Sequence, residues 1–173
     1  MKKYALDTNA LIAICESDEM TKTLFGRLTN HKMKAVVNKR TLEEFSKRPD
    51  STQLANYSKL SPCLVNDDQQ FFTLDESNLD GGDPLPSHTY ESMVKDYSEE
   101  AYKAYEERAK APLSRAEWVR RLQGDPTIYA WAELTGCDYF VTDDDKLRRK
   151  IPANLGPRAI SVDSFIKAFE ENS

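Results

Sequence analysis

Carboxylates stand in this sequence where a fold can collect them. Asp7 follows an apolar run in YALDTNALIAI, and Glu43 and Glu44 sit in TLEEF. Asp125 opens DPTIYAWAEL, and Asp143, Asp144 and Asp145 are consecutive in VTDDDKLRRK. Such side chains are hard oxygen donors and suit Mg2+ or Mn2+. Gathered without a cation they repel, and some take up protons. With one or two such ions between them, a bound water is activated, and the attacking and leaving oxygens of a phosphodiester displacement are stabilised. Other chemistries find less support. His31 and His88 are the only histidines, and neither lies in a ligand-spaced motif. Cys15, Cys63 and Cys137 are odd in number and far apart, with no CxxC pair to suggest zinc.

Each acid also has a plainer explanation. Asp7 can cap a helix that begins near Asn9. Asp125 before Pro126 has the form of an N-cap followed by a first-turn proline. Glu43 and Glu44 can be solvated first-turn acids. Asp143 to Asp145 can mark a helix start, where negative charge is favoured. Capping and metal binding are compatible, because a carboxylate has two oxygens.

Something must bring these residues together. Four short apolar runs read as strands: Tyr4–Leu6, Ala35–Val37, Tyr139–Thr142 and Ala159–Val162. They do not alternate, as expected of parallel strands buried on both faces. Helical segments separate them: one starting at Ala10–Ile14, Thr21–Leu28 with Leu24, Phe25 and Leu28 on one face, Thr41–Lys47 ending near Pro49, and Pro126–Thr135 stopped by Gly136. Strands alternating with helices imply an α/β layered fold with right-handed crossovers. Ligands of such folds bind beyond the carboxyl ends of the strands. Asp7 follows the first strand, Glu43 and Glu44 lie about a helical turn past the second, and Asp143 and Asp144 follow the third. Asp125 opens the helix before that third strand. Four separated segments thus deliver acids to one edge.

The middle of the chain differs. Residues 67–86 are acidic and turn-rich, Tyr90–Lys110 reads as a charged helix, and Pro112 breaks it. Ser114 and Glu117 form a capping box before a short helix through Trp118 and Leu122. Residues 67–123 are expected to be a helical insertion or cap on a single domain covering 1–173.

The 173 residues suffice for one domain with a full core. No window approaches the roughly 20 apolar residues of a membrane span. Asp7 interrupts the apolar N-terminus and no small-residue cleavage site follows, so a cytoplasmic protein is expected. The net charge of −5 argues against a protein that coats nucleic acid, but not against an acidic site with a basic rim. Cations do flank the acids: Arg40 near Glu44, Arg120 and Arg121 before Asp125, and Lys146, Arg148 and Arg149 after Asp144. They fit phosphate contacts that position a nucleic-acid backbone, with Arg148, Lys146 and Arg40 as the candidates. The competing explanation is a solvated helix face. Tyr129 and Trp131 can stack on bases, but their helical spacing favours the core.

Together YALDTNALIAI, TLEEF and DPTIYAWAELTGCDYFVTDDDKL resemble the PIN domain, a family of metal-dependent nucleases that includes the VapC-type toxins of bacterial toxin–antitoxin pairs. The motifs cover the first ~65 residues and everything from Asp125 onward; the longer middle segment is not covered. The resemblance implies a three-layer α/β/α sandwich with a central, mostly parallel sheet. It implies Mg2+ or Mn2+ dependence, cleavage of single-stranded RNA, an antitoxin partner and a homodimer. Carried over by residue, Asp7, Glu44, Asp125 and Asp144 match the family's catalytic and metal-binding acids. Thr8, Asn9 and Thr142 look like groups that orient them by hydrogen bonding, and Asp143 and Asp145 like neighbours that contribute through water. Two rivals remain. One is a non-catalytic PIN-like module that binds RNA or a protein. The other is a phosphatase-like hydrolase with Asp7 as nucleophile, disfavoured because LDTN lacks a DxD arrangement.

Overall fold

The computed structural model describes residues 1–30, 33–47, 49–67, 71–72, 83–84, 99–112, 114, 124–151 and 156–168. The chain begins β1 (Lys2–Leu6), α1 (Thr8–Glu16), α2 (Asp18–Thr29), β2 (Met33–Asn38), α3 (Lys39–Phe45) and α4 (Ser51–Leu60). A 3-10 turn at Ser61–Cys63 leads into β3 (Val65–Asp67), followed by β4 (Phe71–Phe72) and β5 (Asp83–Pro84). Then come α5 (Glu99–Arg108), α6 (Gly124–Leu134), β6 (Tyr139–Val141), α7 (Asp145–Lys150), β7 (Arg158–Ile160) and α8 (Val162–Lys167). Five strands form one wholly parallel sheet in the order β3-β2-β1-β6-β7, and β4 pairs separately with β5.

The central strands β1, β2 and β6 are buried on both faces, while the edge strands β3 and β7 are more exposed. Tyr4, Leu6, Ala35, Val37 and Val141 point into one core, shared with Leu11 and Ile14 of α1, Leu24 and Leu28 of α2, Phe45 of α3, Leu60 of α4 and Phe165 of α8. Ala5, Val36 and Phe140 point into the other, with Ile128, Tyr129 and Trp131 of α6 and Leu147 of α7. The result is a three-layer α/β/α sandwich. The order of strands explains the division. From β1 the sheet grows one way through β2 and β3, and the other way through β6 and β7. Right-handed crossovers that reverse direction must carry their helices over the opposite face. Accordingly α1 to α4 cover one face, and α6 and α7 the other.

Local signals set the ends of these elements. Asp50 and Gln53 close a reciprocal capping box at the start of α4. Gly136, at φ 65°, ends α6: its N–H donates to the Glu133 carbonyl and that of Cys137 to the Ala132 carbonyl, a Schellman pair. Some expectations need correcting. Phe25 is 40% exposed, while Thr21, Leu24 and Leu28 form the buried stripe of α2, because neighbouring residues on a helix point about 100° apart. The run Ala159–Val162 is not all strand: Ser161 caps α8 and Val162 is already helical. Asp67 closes β3 rather than opening the middle segment. Of the charged helix expected over Tyr90–Lys110, 99–108 is helical and 90–98 lie outside the described residues; so do Glu117 and the short helix through Trp118 and Leu122. Among the described residues, no helix is long and apolar enough to cross a membrane.

Candidate active site

In the register of the sheet, Leu6 pairs with Val37 on one side and Val141 on the other. Asp7 therefore stands level with Asn38 and Thr142 at the carboxyl edge, and its N–H donates to the Val141 carbonyl at 3.1 Å. This is where strand order reverses, between β1 and β6. In open parallel sheets the connections leave such a point over opposite faces, and ligands bind there.

Asp7 is 3% exposed and caps α1: its Oδ1 accepts the Ala10 N–H at 2.6 Å. A carboxylate so buried needs hydrogen bonds, and the positive end of the nine-residue α1 supplies further stabilisation. Next to it, the Thr8 hydroxyl donates to Glu44 Oε2 at 2.6 Å, tying the start of α1 to α3 across 36 residues. Arg40 Nε donates to the other oxygen, Glu44 Oε1, at 3.2 Å. Asn38 caps α3 through the Arg40 N–H and so sets the helix that carries Glu44. Glu43 faces elsewhere. It lines an apolar groove of about 380 Å3 formed with Leu42, Phe45, Leu54 and Tyr57.

The far side of the switch point is the β6–α7 turn. Thr142 is fully buried, and its Oγ1 accepts the Asp144 N–H at 3.1 Å. Asp144 caps α7, with Oδ1 accepting from Lys146 N–H at 2.8 Å and Leu147 N–H at 3.0 Å. Asp143 Oδ1 accepts the Val162 N–H at 2.9 Å, joining this turn to α8. Arg148 donates to the Thr142 carbonyl at 2.9 Å, is ion-paired with Asp145, and has Nη1 3.9 Å from Asp143. Asn9 is exposed on the first turn of α1, and Lys146 is exposed on α7.

The structure thus gathers Asp7, Thr8, Glu44, Thr142 and the Asp143–Asp145 turn at one edge. Asp125 lies in the first turn of α6, the helix packed before β6; its side chain is outside the described residues. Arg120 and Arg121 are outside them too. Tyr129 and Trp131 are fully buried in the second core, so neither presents a face to a base. Asn38 and Asp67, paired in register at the ends of β2 and β3, were not among the expected site residues. An asparagine just before KRTLEEF is a recognisable helix start; the three-residue strand before Asp67 is too short to show a period.

The donor set has the right chemistry for a hard divalent cation. Its side chains are arranged differently: among the described residues, no three of His, Cys, Asp and Glu converge closely enough to hold an ion. Asp7 and Asp144 each commit one oxygen to a helix N-terminus, and Glu44 is held by Thr8 and Arg40. What fold and edge define is an α/β/α sandwich with acids at its switch point. No family model and no curated protein matches the chain.

Proposed function

We propose that this chain is a Mg2+- or Mn2+-dependent endoribonuclease of the PIN type, acting on single-stranded RNA. One observation carries the proposal: Asp7 and the Asp144 turn leave adjacent parallel strands at the topological switch point, with Glu44 held beside Asp7 through Thr8. Asp7, Glu44, Asp125 and Asp144 would hold the ion, which when bound supplies charge neutralisation and a more acidic water. The helix caps fix where the Asp7 and Asp144 carboxylates stand. Thr8 fixes Glu44. Exposed Lys39, Lys146 and Arg149, on α3 and α7, suit contacts to phosphates, which position a strand without reading its sequence.

The test uses labelled single-stranded RNA with Mg2+, Mn2+ or a chelator. Cleavage should require the metal, and Asp7→Asn or Asp144→Asn should abolish it while circular dichroism stays unchanged. Wild-type rates in both variants would sink the assignment. The already engaged carboxylates favour a second function, a non-catalytic module that binds RNA. Retained RNA affinity with no turnover under any divalent metal would establish it. A toxin with a protein antitoxin, working as a homodimer, is the finer form of the proposal. Induced expression should then arrest growth, and a small neighbouring gene should relieve the arrest.

A further inference from the structure

Three consecutive carboxylates need some account of their mutual repulsion, and the geometry of one side chain supplies it. Arg148 reaches back from α7 onto the turn that precedes the helix. Its Nη1 donates to the Thr142 carbonyl at 2.9 Å and lies 3.9 Å from Asp143 Oδ1, while its Nη2 is paired with Asp145. The guanidinium therefore serves the two flanking acids and skips the middle one. Asp144 is oriented instead by neutral donors, the N–H groups of Lys146 and Leu147.

We propose that Arg148 is a positioning residue: it latches the β6–α7 turn and neutralises Asp143 and Asp145, so that Asp144 is the one carboxylate of the three that the guanidinium leaves uncompensated. This rests on the function proposed above and assigns Arg148 a role in place of direct contact with RNA. The Thr142 carbonyl is the anchor. Thr142 is buried, and its hydroxyl already holds the Asp144 N–H, so a fork fixed on its carbonyl fixes the turn. The ion pairs act differently. The Asp143 and Asp145 side chains are 44% and 65% exposed, so as surface pairs they add little stability. They do change the charge presented beside Asp144. Asp143 extends the latch, because the same oxygen accepts the Val162 N–H and so ties the turn to α8. A lysine can keep the charge but lacks the planar fork that reaches carbonyl and carboxylate together.

The experiment compares wild type, Arg148→Lys and Arg148→Ala by Mn2+ titration and by amide hydrogen exchange without metal. The latch predicts that Arg148→Ala weakens Mn2+ binding about tenfold, the size found when a group that orients a ligand is lost, although removal of a cation beside acids would by itself strengthen that binding. Arg148→Lys should recover part of that loss. Exchange at the Lys146 and Leu147 amides should rise in Arg148→Ala, while Leu6 and Val37 in the sheet stay protected. Mn2+ affinity and exchange both equal to wild type in Arg148→Ala would overturn the latch. A wild-type chain that binds no Mn2+ overturns the proposed function instead, and exchange at Lys146 and Leu147 then decides the latch by itself. If the alanine variant does not fold, Arg148→Lys carries both measurements, and wild-type values in it count against the fork.

Discussion

Asp7 caps α1, and the proposed function would give it a second duty, metal binding, that substitution can separate from the first. As a cap it needs only an acceptor oxygen for the Ala10 N–H; as a ligand it needs a negative charge. Asparagine keeps the first and loses the second. Asp7→Asn should therefore unfold within about 1 kcal/mol of wild type, whereas Asp7→Ala should be less stable still by about 1 kcal/mol. Urea denaturation of the two variants measures the difference. Equal stability of Asp7→Ala and wild type would mean that the cap contributes nothing. The capping role of Asp7 was legible in the sequence, because LDTN follows an apolar run and precedes a helical one. Arg148 was legible only as a cation near Asp144. Its guanidinium turns inward to the Thr142 carbonyl, and no spacing rule states the direction of a long side chain.

Helices present the site through their ends, so their termini matter more than their lengths. α6 illustrates this. It must stop and turn sharply for β6 to enter the sheet beside β1, and Gly136 makes that turn in the left-handed region. A Cβ added there would meet nothing within 4 Å, so the cost of Gly136→Ala is conformational rather than steric. It should be about 1–2 kcal/mol, the left-handed penalty for an L-residue. For a chain of this length that lowers the melting temperature by about 2–4 °C per kcal/mol, readable by thermal circular dichroism. A wild-type melting temperature would show that the turn relaxes freely. This stop was legible from glycine after a helical run. α4 and α8 were not expected: Ser51–Leu60 is largely polar, and Val162–Lys167 is only six residues long. Their caps, Asp50 with Gln53 and Ser161, were the available signals.

The two cores make the whole molecule sensitive to alkali. Burial pushes the Cys15 thiol up to about 12 from its ordinary 9.0. Burial, helped by Glu133, pushes the Tyr129 hydroxyl to about 12 from 10.0. The folded chain thus holds these protons more tightly than the unfolded chain. Stability present below about pH 9 should be lost progressively as the pH rises toward 12, because the unfolded state releases its protons first. Denaturation midpoints taken between about pH 8 and 11 test this, and an unchanged midpoint would contradict it. Thiol labelling gives a parallel check. Half-exposed Cys63 should react in the native protein, while buried Cys15 and Cys137 should not.

Much of this molecule is written in local order. Apolar runs without alternation announced buried parallel strands, and Asp7, Asn38, Asp144 and Ser161 stand where capping chemistry puts them. That Asp7, Glu44 and the Asp143–Asp145 turn share one edge was legible because strand ends in a parallel sheet share an edge. Tertiary structure decided the rest. Strand order made β1 the switch point, and register set Asp7 level with Thr142. Side-chain direction sent Glu44 to Thr8 and left Glu43 on the apolar groove. These outcomes depend on contacts between segments far apart in the chain, where packing and hydrogen bonding choose among arrangements that local sequence leaves equal.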